Sequence, residues 1–121
     1  MRWFKWQLGR QNSGYRKMLL AESKRFMFDC WLIDIQTGVE IREHTDPVPN
    51  GLTHHRINMV LIKPKYGGNA QKIVDFRIIT LPRIYYFRPD IETHRVCEVL
   101  GGRMLILSIG WCRKTHTASE L

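Results

Sequence analysis

Residues 104–111, Met-Leu-Ile-Leu-Ser-Ile-Gly-Trp, run almost without a polar interruption near the end of the chain. A run of this character is typical of a β-strand that is covered on both faces. Upstream, short segments rich in branched and aromatic residues alternate with turn residues, as in short strands joined by tight loops. The predicted strands are 26–35, 39–44, 57–62, 73–81 and 84–87, with 15–22 suited to either a strand or a helix. This pattern predicts a mainly β fold, a sandwich or jelly roll with little helix.

The chain has 121 residues, the usual length of a single domain. We expect a basic N-terminal segment over 1–25, a β-barrel core over 26–112 and a polar tail over 113–121. No apolar run approaches the ~20 residues that cross a bilayer, and the first residues lack the apolar stretch of a secretion signal. These features predict a cytoplasmic protein that does not bind a membrane.

The three cysteines, Cys30, Cys97 and Cys112, are widely spaced and odd in number. They include no C-x-x-C pair, so neither a disulfide framework nor a cysteine-based structural zinc site is expected. We interpret them as buried free thiols.

The formal net charge is +8, and much of the excess lies within the first 28 residues. Such a bias favours an acidic partner, either nucleic acid or an acidic protein. A solvated basic surface explains the same charge equally well. Trp3, Phe4 and Trp6 alternate with basic residues, which suits either stacking on bases or the apolar face of an edge strand; we favour the edge strand.

The stretch Glu43-His44-Thr45-Asp46-Pro47 indicates a metal site. Residues two apart in an extended chain point to the same side, so His44 and Asp46 can reach one ion. A third ligand is needed, and His94 is the best candidate, because it opens a segment before the last long strand. Two histidines and one carboxylate leave coordination positions open, as Fe(II) oxygenases require for a keto acid and O2. The adjacent His54 and His55 face opposite ways in a strand, and neither is expected to be a ligand.

Arg103 stands at the entrance of the apolar run, where an unpaired charge would be costly. Its planar guanidinium matches a carboxylate, which makes it the candidate anchor for a dicarboxylate co-substrate. This role requires a wide turn centred near Glu98 and Val99, so that His94 and Arg103 lie at the same height on adjacent strands. Asn58 and Arg56 share one face of their strand and are further candidates for contact with co-substrate, although ordinary packing also explains them.

These motifs in this order resemble the 2-oxoglutarate/Fe(II)-dependent dioxygenase superfamily, and most closely its prolyl and aspartyl hydroxylase-like branch. The segments that carry the resemblance lie between residues 30 and 112: His44-Thr45-Asp46-Pro47, Arg56 to Leu61, Gly67-Gly68, Tyr86 to Asp90, His94-Arg95-Val96, Gly102-Arg103 and Trp111. The resemblance implies a double-stranded β-helix with Fe(II) at His44, Asp46 and His94.

The resemblance further implies that Arg103 binds the distal carboxylate of 2-oxoglutarate. The implied activity hydroxylates or demethylates a protein side chain or a nucleic acid, with O2 consumed and succinate and CO2 released. The chain is short for this superfamily, which indicates a minimal barrel or a homo-oligomer.

Two other interpretations remain open. The first is a cupin-like metal-binding barrel without 2-oxoglutarate chemistry, which would tolerate loss of Arg103. The second is a small basic β domain that binds nucleic acid without any metal, with an affinity that falls steeply with salt.

Overall fold

The computed structural model describes residues 3–9, 14–67, 70–72, 80–81 and 84–115. These residues form strands and connecting turns, and no helix occurs among them. Within the same ranges, nothing helical has the length and apolar character needed to cross a membrane. The strands are β1 (Trp6–Leu8), β2 (Arg16–Ser23), β3 (Phe28–Ile35), β4 (Ile41–His44), β5 (Leu52–Ile62), β6 (Tyr66–Gly67), β7 (Ala70–Lys72), β8 (Thr80–Leu81), β9 (Ile84–Phe87), β10 (His94–Val96), β11 (Val99–Gly101) and β12 (Met104–Lys114).

The strands assemble into three antiparallel sheets. The largest has the order β1-β2-β3-β12-β5-β9-β8, a smaller one has the order β4-β10-β7, and β11 pairs with β6. The apolar run of β12 lies at the centre of the large sheet, paired with β3 on one side and β5 on the other. A central strand makes hydrogen bonds along both edges, which agrees with its continuous β-forming sequence.

The hydrophobic core joins the large sheet to the small ones. Its buried side chains come from both: Tyr15, Ile35, Ile41, Val96, Val99, Met104 and Ile106, with Ile33, Val39 and Val60 packed against them. Because Ile33 and Ile35 of β3 pair with Ile106 and Met104 of β12, these residues share the inner face of the large sheet. The sheets therefore pack face to face around an apolar core.

The same inner face becomes polar further along the strands. Ser108 and Gly110 follow Ile106 at alternate positions of β12, and they pair with Asn58 and Arg56 of β5. Asp29 of β3 pairs with Gly110 from the other side. One half of the interior is thus apolar and the other half carries hydrogen-bonding groups.

The mainly β prediction is confirmed, and residues 16–23 form a strand and not a helix. The N-terminal segment belongs to the large sheet, with Trp6–Leu8 as its edge strand. β5 begins at Leu52, earlier than the predicted start at Ile57. β12 runs to Lys114 and so includes the start of the segment 113–121 that was expected as a polar tail. Residues 116–121 lie outside the described part, as do residues 73–79 of the predicted strand 73–81.

Candidate metal centre

Three side chains converge where β4 ends and β10 begins. His44 is the last residue of β4, His94 is the first of β10, and the two are direct cross-strand partners. Asp46 follows His44 at the spacing that returns a side chain to the same side of an extended chain. Asp46 Oδ2 lies 3.8 Å from His44 Nε2 and 3.6 Å from His94 Nε2. One ligand atom from each residue lies within 4.8 Å of the others, so the trio could hold one metal ion.

Each imidazole is oriented by a backbone carbonyl. His44 Nδ1 is 2.6 Å from the carbonyl oxygen of Arg42, and His94 Nδ1 is 2.9 Å from that of Glu92. A carbonyl oxygen only accepts hydrogen bonds, so each Nδ1 carries the hydrogen and donates it. The other ring nitrogen, Nε2, therefore faces the Asp46 carboxylate in both residues. Metal-binding histidines are oriented by the same kind of hydrogen bond.

The loop between β9 and β10 fixes this arrangement. The Arg88 guanidinium binds both carboxylate oxygens of Asp90, at 2.9 and 2.6 Å. The fully buried Glu92 accepts a hydrogen bond from the backbone N–H of Arg88 at 2.8 Å. The backbone N–H of Asp46 donates to the carbonyl oxygen of Pro89 at 2.6 Å. One loop thus positions His94, through Glu92, and Asp46, through Pro89.

The electrostatics suit a cation. Burial lowers the pKa of His94 below its ordinary value of 6.5, and the neighbouring His44 acts in the same direction. The His94 ring therefore stays neutral at pH 7, the form that binds metals. Phe87 packs against this ring with a centroid distance of 4.9 Å and shields that side from solvent.

A polar network on the inner face lies next to the trio. Arg56 pairs across the sheet with Phe87, the residue that contacts His94. The guanidinium of Arg56 donates to Asp29 and, at 2.7 Å, to Ser108 Oγ. Ser108 in turn donates to Asn58 Oδ1 at 2.5 Å. Asn58 Nδ2 donates to Tyr85 Oη at 3.0 Å, and burial raises the pKa of this tyrosine.

The structure brings together His44, Asp46 and His94, and it places Arg103 elsewhere. Arg103 Nε lies 3.2 Å from Asp34 Oδ1. Asp34 alternates with the inward-facing Ile33 and Ile35, so this ion pair lies on the outer face of the large sheet. Instead of one wide turn, residues 94–96 and 99–101 form separate strands, β10 and β11, which pair outside the large sheet. Binding of 2-oxoglutarate by Arg103 stays a prediction.

Arg56 and Asn58 lie on the inner face, as predicted, and both have protein partners there. Sequence reasoning missed their neighbours Asp29, Ser108 and Tyr85. Ser108 and Tyr85 are the cross-strand partners of Asn58 and share its face of the sheet, but they can be identified only once the strand register is known.

No protein-family model matches the sequence, and no curated protein matches it. Solved structures do resemble the fold. KdgF from Halomonas sp. is 11% identical with a TM-score of 0.58, and the match covers 97% of this chain and 91% of that one. A cupin 2 conserved barrel domain protein from Rhodopseudomonas palustris is 10% identical with a TM-score of 0.59, covering 94% and 76%.

A further cupin 2 conserved barrel domain protein, from Salinispora arenicola CNS-205, is 14% identical with a TM-score of 0.56, covering 92% of this chain and 82% of that one. At such identities the similarity concerns the fold, and function has to be argued from the site itself. The predicted jelly roll is confirmed, whereas none of these three structures points to the 2-oxoglutarate oxygenase branch. The chain has the fold of a minimal cupin barrel, with a three-residue cluster that could hold a metal ion.

Proposed function

We propose that this protein is a metal-dependent cupin-type enzyme that binds one divalent transition metal at His44, Asp46 and His94. The observation that supports this most directly is the orientation of the two rings: both Nδ1 atoms donate to carbonyl groups, which leaves both Nε2 atoms beside one carboxylate. Three protein ligands leave coordination positions for a small oxygen-donor substrate.

Two imidazoles and a carboxylate form the ligand set typical of non-haem Fe(II) enzymes, so Fe(II) is the metal we propose. Bound there, it would supply Lewis acidity and O2 chemistry. The protein's part is to hold the His94 ring neutral by burial, to orient both rings through their Nδ1 hydrogen bonds and to exclude water on the Phe87 side. The inner-face network then offers hydrogen-bonding groups to a substrate beside the metal.

Within this proposal, a cupin barrel without 2-oxoglutarate chemistry is the better supported form, because Arg103 lies beside Asp34 on the outer face of the sheet. The 2-oxoglutarate oxygenase is the second candidate, and the ligand set His-x-Asp with a distal His favours it. In that form the enzyme would hydroxylate or demethylate a protein side chain or a nucleic acid. The cytoplasmic location and a homo-oligomeric state stay predictions.

The nucleic-acid-binding interpretation receives less support. Arg16 lies over the Trp6 ring at 4.5 Å and Lys17 over the Trp31 ring at 4.5 Å. These cations contact rings of the protein itself, which competes with stacking of the same rings on bases.

The test is anaerobic metal titration of the purified protein, first with Co(II), whose visible bands report its coordination, and then with Fe(II). We expect one equivalent to bind, and His44→Ala, Asp46→Ala and His94→Ala each to weaken binding by roughly 100-fold or more, since each removes one of three ligands. His55→Ala is the matched control, because this adjacent histidine lies on the outer face and should change nothing. If the ligand variants bind Co(II) as the wild type does, the proposal is wrong.

Addition of 2-oxoglutarate to the Fe(II) protein separates the two forms of the enzyme. A visible charge-transfer band that weakens in Arg103→Gln would favour the oxygenase. Retained Fe(II) without any band would favour the cupin barrel without 2-oxoglutarate chemistry.

A further inference from the structure

His54 lies on the inner face of the barrel, although its neighbour His55 does not. It precedes Arg56 by two positions in β5, which places both side chains on one face. Its cross-strand partner is Cys112 of β12, two residues beyond Gly110, whose partner is Arg56. His55 instead stacks on Trp111 on the outer face, with nearly parallel rings 5.6 Å apart.

His54 Nδ1 is buried, and among the residues that the structure describes it has no hydrogen-bond partner. Buried polar atoms are nearly always hydrogen-bonded, so an unpartnered one indicates a missing partner such as a ligand or a water molecule. Burial and the positive charge of Arg56 lower the pKa of His54. The ring is therefore neutral at pH 7, with one nitrogen that donates and one that accepts.

The loop that orients the metal ligands also fixes His54. Arg88 Nε donates to the carbonyl oxygen of His54 at 3.1 Å, and the backbone N–H of His54 donates to the Asp90 carboxylate. The same loop contacts Asp46 through Pro89 and His94 through Glu92. Its hydrogen bonds hold His54 in a defined position relative to the three candidate ligands.

Arg56 gives this region a positive charge that is only partly offset. Its side chain is 14% exposed, whereas that of its partner Asp29 is 35% exposed and so is more strongly screened by water. Arg56 pairs across the sheet with Phe87, whose ring packs against His94, so its charge lies close to the metal trio. An anion next to the trio would gain from this charge.

We propose that His54 donates a hydrogen bond to a small organic anion that coordinates the metal, while Arg56 supplies the countercharge. The proposal rests on the metal centre proposed above and adds the class of ligand and the residue that recognises it. Neutral ligands of the same metal gain nothing from Arg56, so the site should prefer anions.

The experiment titrates the Co(II)-loaded protein with acetate and, separately, with imidazole as a neutral metal ligand, and follows the visible Co(II) bands. We expect His54→Phe to weaken acetate binding about tenfold, the value of a hydrogen bond to a charged group, and to leave imidazole binding unchanged. His54→Gln, which retains a donor, should recover much of the acetate affinity. His55→Phe, on the outer face of the same strand, is the matched control and should behave as the wild type.

Asp29→Asn tests the role of Arg56 through a gain in acetate affinity, which a misfolded variant would not show. Removal of its charge leaves Arg56 less offset, so acetate should bind about three to ten times more tightly. The proposal is overturned if His54→Phe binds acetate as the wild type does, or if the variant weakens imidazole and acetate equally. Absence of Co(II) bands in the wild type would instead refute the metal centre, and the proposal with it.

Discussion

The ring centroids of His44 and His94 lie 4.3 Å apart across the β4–β10 pair, with the ring planes inclined by 57°. Antiparallel partners of this kind project to the same side, so a carboxylate two residues from one of them completes the trio. The geometry depends on strand register, and the hydrogen bonds at both Nδ1 atoms then fix the rings.

A metal that binds the folded trio should stabilise the protein. At a free concentration about 100-fold above Kd, the ion adds roughly 2.7 kcal/mol, which for a domain of this size raises Tm by roughly 10 °C. Differential scanning calorimetry with Co(II) and with EDTA measures the shift. His94→Ala should abolish it, and an equal shift in this variant would place the metal elsewhere.

The metal-free protein should become less stable as the pH falls below about 7. The pKa values of His54 and His55 are lowered in the folded state, mainly by burial, from the ordinary value of 6.5. Below that value the unfolded chain binds more protons than the folded one. The free energy of unfolding therefore falls as the pH is lowered, until the folded-state pKa is passed. Urea titrations in EDTA at several pH values measure this slope. His54→Gln should flatten it, and an unchanged slope in this variant would contradict the expectation.

Gly110→Ala should disrupt the inner-face network. A Cβ atom at this position would clash with the guanidinium of Arg56, which must then leave Asp29 or Ser108. We expect a loss of about 1–3 kcal/mol in the free energy of unfolding, as for other overpacked sites. Chemical denaturation measures it. In Arg56→Met/Gly110→Ala the clash is relieved, so the two losses should not add; strict additivity would show that the residues do not interact.

Arg103→Gln should affect stability more than ligand binding. Asp34 is 1% exposed, and Arg16 donates to its Oδ2 at 2.9 Å while Arg103 lies beside Oδ1. Removing one cation from a buried carboxylate should cost about 1–2 kcal/mol, less than for a fully buried pair because both arginines are half exposed. Urea denaturation and Co(II) titration of the same variant are compared. A wild-type stability together with lost keto-acid binding would support the oxygenase role of Arg103.

The features that follow from the two-residue periodicity of β-strands could be predicted from the sequence. The run 104–111 identified the central strand, and the spacing of His44 and Asp46 identified two of the three candidate ligands. His94 could be selected because histidine is a good ligand and because it precedes the last strand.

The position of Arg103 could not be predicted in the same way. It depends on how residues 97–103 pair, and β11 pairs with β6, a contact between distant parts of the chain. His54 was expected only not to be a metal ligand, and its place on the inner face depends on a register with β12 that local sequence does not specify.

The inner face is divided along its own strands, with Ile106 and Val60 at one end of β12 and β5 and with Ser108, Asn58 and Arg56 towards the other. Both groups contribute to stability, and in the proposal above the second group would also determine ligand preference. If the proposed ligand site is correct, substitutions at positions 54, 56, 58 and 108 would change which molecule is bound while the apolar half keeps the barrel folded. Such a division makes the scaffold a good starting point for directed evolution. A library at these four positions would vary the proposed ligand site and leave the apolar core unchanged.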